Sequence, residues 1–423
     1  MGGVGYIWPV LTGVPWSTAS ELIPAGRPSA PQTGVMEGTM LTKEDNELLT
    51  LTGPGTPGGD FMRRYWQPIA LHDELAENGS TQPIRLLGEQ LVLYRGLQGQ
   101  LGLLGRWCSH RATDLAQGWV EEEGLRCPLH GWLYDAQGRC LEQPMEPPES
   151  TFHESIQHPA YRCTERGGVI FAYLGPGEPP ILPDYECLTL ADESRASAKY
   201  LLECNYLQAL EGNLDPAQVA LLARLVGSSD NAATPSLDVE LAVEPEDTEY
   251  GVRLAVLEHA AGSGAIRIVR NFAMPNLCFA PALGMEGGVA HWHVPIDDTH
   301  HWHYVLAYRG DGPISEEDAR RNGVERLEGF RPPTTREAMA TSYVAYATIL
   351  AESQGPIYDR TQEFLGETDK GVEALRRTIY GGIVDVREGA DPLHVLRGAE
   401  AFDSRRLKPS ERSVDDGEAQ RPS

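Results

Sequence analysis

Residues 106–134 read RWCSHRATDLAQGWVEEEGLRCPLHGWLY. Within this stretch Cys108-Ser109-His110 is followed, after sixteen residues, by Cys127-Pro128-Leu129-His130, so two thiols and two imidazoles arrive as two mixed pairs. A structural zinc site also takes Cys and His, but sites of the finger type pair Cys with Cys and His with His. Here each loop carries one of each. A [2Fe–2S] cluster with mixed ligation demands this division, because two thiolates hold one iron and two imidazoles the other. The contexts Arg126-Cys127-Pro128 and His130-Gly131-Trp132 suit a tight loop that turns backbone N–H groups towards the sulfurs. Cys108, His110, Cys127 and His130 are therefore the expected ligands of a Rieske-type cluster.

Outward from the loops, residues 84–104 are short segments rich in Leu, Val and Tyr, broken at Gly88, Gly96, Gly99 and Gly102. That spacing predicts antiparallel strands with tight connections. Thr42 suits a helix cap before Lys43-Glu44-Asp45. The run Gly53-Pro54-Gly55-Thr56-Pro57-Gly58-Gly59 predicts turns and lacks the Lys-Ser/Thr ending of a phosphate loop. A strand is expected over Val169–Leu174, and Gly175 to Pro180 has the composition of a linker. This divides the chain into a flexible extension over 1–39, a cluster-binding domain over 40–180, a second domain over 184–400 and a disordered tail over 401–423. In the second domain, helix is expected over 207–226 and 343–380. Strands are expected over 252–257, 266–269 and 303–308.

The chain has 423 residues and a formal net charge of -26. Phosphates would be repelled, which excludes nucleic acid and anionic lipid as partners. The charge suits either a basic patch on a redox partner or plain solubility. No run of about 18 apolar residues predicts a membrane span. The start lacks a basic segment, and Pro9 and Pro15 interrupt its apolar stretch, so no secretory signal is expected and the reading is cytoplasmic. Seven cysteines in a chain this long do not suggest a disulfide scaffold; Cys140, Cys163, Cys187, Cys204 and Cys278 are expected as small buried apolar residues.

Further motifs accompany the cluster loops. They are Tyr65-Trp66-Gln67-Pro68, Cys140-Leu141-Glu142-Gln143-Pro144, residues 205–213 (NYLQALEGN), His291-Trp292-His293-Val294-Pro295, residues 297–302 (DDTHHW) and residues 352–357 (ESQGPI). With them, the chain from about Met40 to Gly398 resembles the α-subunits of Rieske non-haem iron oxygenases, most closely the phthalate 4,5-dioxygenase-like group. The resemblance implies an α+β architecture: an all-β Rieske [2Fe–2S] domain followed by a helix-grip (START-like) catalytic-type domain with an antiparallel sheet and helices. It also implies head-to-tail trimers and a separate NAD(P)H-dependent flavin/iron–sulfur reductase. Respiratory Rieske proteins add a cysteine to each loop, at the positions of Thr113 and Leu129, and a serine at the position of Trp132. Fewer hydrogen bonds to the sulfurs and no disulfide put the expected potential at the lower end of the range, roughly -150 to +300 mV.

The sequence departs from the family at its second metal. The catalytic iron there is held by two His and one carboxylate. Aligned without gaps, those ligands fall on Gln218, Ala223 and Ala347. Gln218 offers a weak amide oxygen and alanine offers nothing, so no mononuclear Fe(II) is expected in this chain. His291, His293, His300 and His301 are expected to pack or hydrogen-bond on strands. Asp215, which in the family bridges two subunits on the electron path, is retained; it could hold the interface or cap a helix beginning near Pro216. The expected function is that of a cluster-bearing subunit of an aromatic-compound oxygenase, for dihydroxylation or N-/O-demethylation. It would feed the mononuclear iron of a paralogous catalytic subunit and be inactive alone. Two alternatives are an active homotrimer with an unconventional iron site, and a non-enzymatic electron-transfer or sensing protein.

Overall fold

The computed structural model describes residues 41–227, 239–260, 264–339, 342–398 and 402–414, with the side chains of 223–227 and 260 outside the description. The extension expected over 1–39 lies outside the described residues. Thr42 caps the first helix as its side chain accepts from the Asp45 N–H, opening α1 (Lys43–Thr50). Thr56 caps α2 (Pro57–Met62), with Pro57 in its first turn, where its missing N–H costs nothing. The second half of the expected turn cluster is thus a helix start.

Strands β1 (Gln67–Leu71), β2 (Thr81–Leu86), β3 (Glu89–Arg95) and β4 (Leu101–Gly105) are followed by four short ones, β5 (Trp119–Val120), β6 (Leu125–Arg126), β7 (Leu133–Tyr134) and β8 (Cys140–Glu142). After them come β9 (Ala160–Arg166) and β10 (Val169–Tyr173). The long strands form an antiparallel sheet in the order β1-β10-β9-β4-β3-β2, and the short ones a separate sheet, β5-β6-β7-β8, that carries the ligand loops. This is the Rieske domain.

A second, sheet-rich domain with helices follows. Its early elements are α3 (Glu186–Thr189), β11 (Arg195–Leu202), α4 (Tyr206–Gly212) and α5 (Pro216–Gly227). Then come β12 (Val239–Asp247), β13 (Gly251–Ala260), β14 (Gly264–Ala273), β15 (Leu277–Pro281), β16 (Gly288–Asp297) and β17 (His300–Tyr308). Helices α6 (Glu316–Arg321), α7 (Arg336–Met339), α8 (Tyr343–Ser353) and α9 (Lys370–Arg387) complete it. The strand order is β11-β17-β16-β15-β14-β13-β12, antiparallel throughout. Val372, Leu375, Ile379, Ile383 and Val386 recur at helical spacing on α9 and bury one stripe against β12 and β13. The helix expected over 343–380 is interrupted between α8 and α9, where Gly355 has φ 89° and Gly366 precedes a short helical turn.

The tail is not disordered over 402–414. Strand β18 (Ser410–Val414) pairs with Ala265–Val269 of β14. The reason lies in β15, which reaches only Asn271–Ala273 and leaves the rest of that β14 edge open. A polar segment suffices to satisfy the open backbone groups, because pairing needs N–H and C=O rather than apolar side chains. Residues 415–423 lie outside the described residues.

The Gly175–Pro180 segment connects two sheets that share one core. Leu91, Leu93 and Phe171 of the first lie in the same buried cluster as Val252, Trp292 and Val294 of the second. Backbone bonds from Leu87 N–H to Pro295 and from Gly88 N–H to Ile296 join them directly (2.9 and 2.8 Å). Among the described residues no helix is long and apolar enough to cross a membrane.

Candidate metal centre

The two ligand loops repeat one backbone geometry. In the first, Cys108 N–H donates to Thr113 C=O (2.9 Å) and Ala112 N–H donates to Cys108 C=O (2.8 Å). In the second, Cys127 N–H donates to Trp132 C=O (2.8 Å) and Gly131 N–H donates to Cys127 C=O (3.1 Å). Each knuckle closes through a residue of positive φ, Ala112 at 53° and Gly131 at 74°. Glycine suits that conformation, while Ala112 is strained in it. Arg106 pins the first loop through a bidentate pair with Asp114 (3.0 and 2.6 Å). Arg126 pins the second through Glu121, Glu142 and the Gly131 carbonyl (2.5–2.8 Å).

These loops bring all four expected ligands to one end of the domain. Cys108 and Cys127 are buried, 3% and 1% exposed, whereas His110 is exposed and His130 half-exposed. The imidazoles meet edge to face with centroids 4.5 Å apart, and His110 stacks on the Trp132 indole at 4.4 Å. Burial pushes the Cys127 thiol up and the neighbouring Cys108 adds to the rise, while backbone N–H donors at Leu129 and His130 oppose it only in part. Buried thiols on one side and outward imidazoles on the other fit a [2Fe–2S] cluster with one inner and one surface iron. Among the described residues no three His, Cys, Asp or Glu side chains converge as one ion's ligand set. A two-iron cluster needs two pairs instead.

A shell behind the ligands was not legible in the motif. The Tyr134 hydroxyl lies 3.2 Å from Cys108 Sγ, which adds a hydrogen bond to a sulfur expected to have few. His158 stacks beside Tyr134 and, through Nε2, contacts the Gly105 carbonyl at 2.8 Å. A carbonyl only accepts, so the proton is on Nε2 and Nδ1 accepts from the Ser109 hydroxyl at 2.7 Å. That bond fixes the residue between Cys108 and His110. The only signal in the sequence was a Ser within the first loop; His158 lies far along the chain. Of the remaining cysteines, Cys140, Cys187, Cys204 and Cys278 are buried, Cys163 half-buried, and all are free thiols.

The second metal position lies between α5 and α8. Gln218 and Ala347 line one small cavity of about 30 Å³ with Asn213, His293, His303 and Tyr343. The side chain of Ala223 lies outside the described residues. Asp215 Oδ1 accepts from the N–H groups of Ala217 and Gln218 (2.9 and 3.0 Å), so it caps α5. Burial raises its carboxyl, against the backbone donors.

The nearby histidines form hydrogen-bonded pairs. His301 Nδ1 donates to the Cys204 carbonyl (2.8 Å), which leaves its Nε2 to accept from His293 Nδ1 (3.2 Å). His293 Nε2 in turn accepts from Asn213 Nδ2 (2.7 Å). His291 and His303 share a proton between ring nitrogens 3.0 Å apart. Burial keeps all four neutral, lowering His291 to about 3 and His301 to about 4. His300, by contrast, is half-exposed and hydrogen-bonds to Asp297 at 2.9 Å. With both ring nitrogens of His293 engaged, neither is open to a metal. Of the described residues expected at this second position, Gln218 and Ala347 supply neither an imidazole nor a carboxylate.

Fold and loops together define a Rieske-type iron–sulfur protein. Residues 65–159 match the family described as "Rieske [2Fe-2S] domain". The chain is 34% identical over 373 residues to the 5,5'-dehydrodivanillate O-demethylase oxygenase subunit of Sphingobium sp. (strain NBRC 103272 / SYK-6), covering 85% of this chain and 84% of that protein. It is 32% identical to the phthalate 4,5-dioxygenase oxygenase subunit of Pseudomonas putida, covering 86% and 91%. The terminal oxygenase of carbazole 1,9a-dioxygenase from Novosphingobium sp. KA1 shares the fold, with a TM-score of 0.56 at 20% identity, covering 79% of this chain and 96% of that one. The chain belongs to the family of Rieske oxygenase α-subunits, oxidoreductase components of aromatic-compound oxygenases.

Proposed function

We propose that this chain is a cluster-bearing, non-catalytic α-type subunit of a mixed Rieske oxygenase. It would be joined in a trimer-based hetero-oligomer to a paralogous subunit with a complete iron triad. The observation that carries the reading is the contrast between two sites in one chain. The four cluster ligands converge with their supporting shell, while Gln218 and Ala347 stand around a small cavity in which the His293 imidazole is fully hydrogen-bonded. A [2Fe–2S] cluster held at the first site supplies one-electron transfer. The protein's own part is to bury the thiol side, fix the loops through Arg106 and Arg126, and present His110 and His130 at the surface. Electrons from an NAD(P)H-dependent flavin/iron–sulfur reductase would leave at that surface for the iron of the neighbouring subunit. Asp215 would contribute to that interface while capping α5.

The relatives' names, an O-demethylase and a phthalate dioxygenase, support dihydroxylation or demethylation of a small aromatic compound. The test is turnover with reductase. The pure chain is expected to give no product, and activity is expected to appear on adding a complete-triad paralogue. Product formation by the pure chain, at the expense of NADH and dioxygen, would contradict the reading.

A further inference from the structure

The segment Cys140-Leu141-Glu142-Gln143-Pro144 forms a strap against the ligand loops. Strand β8 pairs with β7, with Cys140 opposite Tyr134 and Glu142 opposite Leu133. Tyr134 is the residue whose hydroxyl reaches Cys108 Sγ. Beyond β8 the strap touches the second loop. Glu142 accepts from Arg126 at 2.7 Å, and a Cβ built on Gly131 would meet Pro144 Cγ at 3.2 Å. Cys140 itself lies in one buried cluster with Cys108, Cys127 and Trp132.

Glu142 and Pro144 are exposed, whereas Gln143 between them is 9% exposed, the alternation of an extended segment. Its amide has nothing to bond. Nε2 and Oε1 are both buried without a hydrogen-bond partner, and among the described residues Gln143 alone has two such side-chain atoms. The polar group it acts on is the Cys140 thiol, which burial raises to about 11 and the Gln143 amide lowers. That sulfur is a weak acceptor, and its S–H is directed at the Glu142 carbonyl (3.6 Å). A buried amide left unsatisfied is costly, and a bound group that completes it accounts for its place. The sulfurs of a [2Fe–2S] cluster accept hydrogen bonds, and a carboxamide offers two N–H donors without adding charge.

We propose that Gln143 is a hydrogen-bond donor to a sulfur of the bound cluster, on the side of the second ligand loop. A donor there stabilises the more negative, reduced form and so raises the potential. The assignment goes beyond the electron-delivery reading and needs only the cluster.

The test uses the full-length protein loaded with its cluster and isotope-labelled at the glutamine side-chain amide nitrogen. Pulsed electron paramagnetic resonance of the reduced cluster is expected to show a weak coupling to the labelled nitrogen, absent in Gln143→Leu. Potentiometric titration of Gln143→Leu is expected to show about tenfold less reduced relative to oxidised cluster at a given poise, about 59 mV for one electron. No coupling in wild type, as when water alone satisfies the amide, would overturn the proposal. So would a coupling that survives in Gln143→Leu, or a potential unchanged or raised. Should Gln143→Leu fail to hold the cluster, Gln143→Glu takes its place in the labelling arm, since it keeps the shape without an amide nitrogen. None of these measurements involves turnover, so a negative result leaves the electron-delivery reading standing, and a failure of that reading leaves the donor standing.

Discussion

Cys108 and Cys127 illustrate what single residues reveal before any fold is known. Ligand identity follows from residue type and spacing, because metal chemistry restricts the donors to a few side chains. The tuning groups do not follow, since Tyr134 and His158 reach the loops only through tertiary packing. With a cluster bound on a Cys108 thiolate, the Tyr134 hydroxyl would donate to Cys108 Sγ and so stabilise the more negative, reduced form. Tyr134→Phe is therefore expected to lower the reduction potential, on the order of tens of millivolts, where about 59 mV is tenfold for one electron. Potentiometric titration followed by electron paramagnetic resonance measures it. An unchanged or raised potential would show that the hydroxyl does not act on the cluster. The retained Asp215 was ambiguous in the sequence for a related reason: a carboxylate before a Pro can cap a helix or reach a neighbour, and the fold displays the cap.

At the scale of elements, strands and helices with strong periodicity were legible, and elements made by long-range pairing were not. Val252, Leu254 and Val256 alternate on β13 and announce it. Strand β18 has no such pattern, and forms because β14 has an uncovered edge. A chain ending at Pro409 is expected to melt at lower temperature and to associate more readily, as that edge is bared. Thermal unfolding with light scattering would detect both, and unaltered behaviour would mean that the pairing contributes nothing. Helix α4 depends on a buried network instead. Glu211 accepts from Arg360 (2.9 and 2.8 Å) and Arg376 (2.6 Å), and Glu363 is also paired with Arg376. Burial raises the Glu211 carboxyl, but the two guanidinium groups more than offset it and hold it at about 2. A depressed carboxyl contributes its stability fully above the ordinary carboxylate value and loses it as pH falls through about 2. Glu211→Gln should cost about 3–5 kcal/mol at neutral pH by leaving buried cations uncompensated. Its deficit relative to wild type should shrink on acidification, as followed by denaturant unfolding.

For the whole molecule, the order of a β-rich cluster domain and a mixed second domain was legible from motifs and composition. The shared core was not, because Phe171 meeting Trp292 at 6.0 Å is a contact between distant segments. The proposed loss of the second metal's ligands rests in the sequence on Gln218, Ala223 and Ala347. That the nearby imidazoles are committed to Asn213 and to one another required the structure. On the proposed function, electrons pass through this chain without a catalytic iron of its own. Iron and acid-labile sulfide, measured on the pure full-length protein loaded with its cluster, test that directly. Equal amounts of iron and sulfide are expected. A ratio near three to two, the signature of a third iron, would contradict the account.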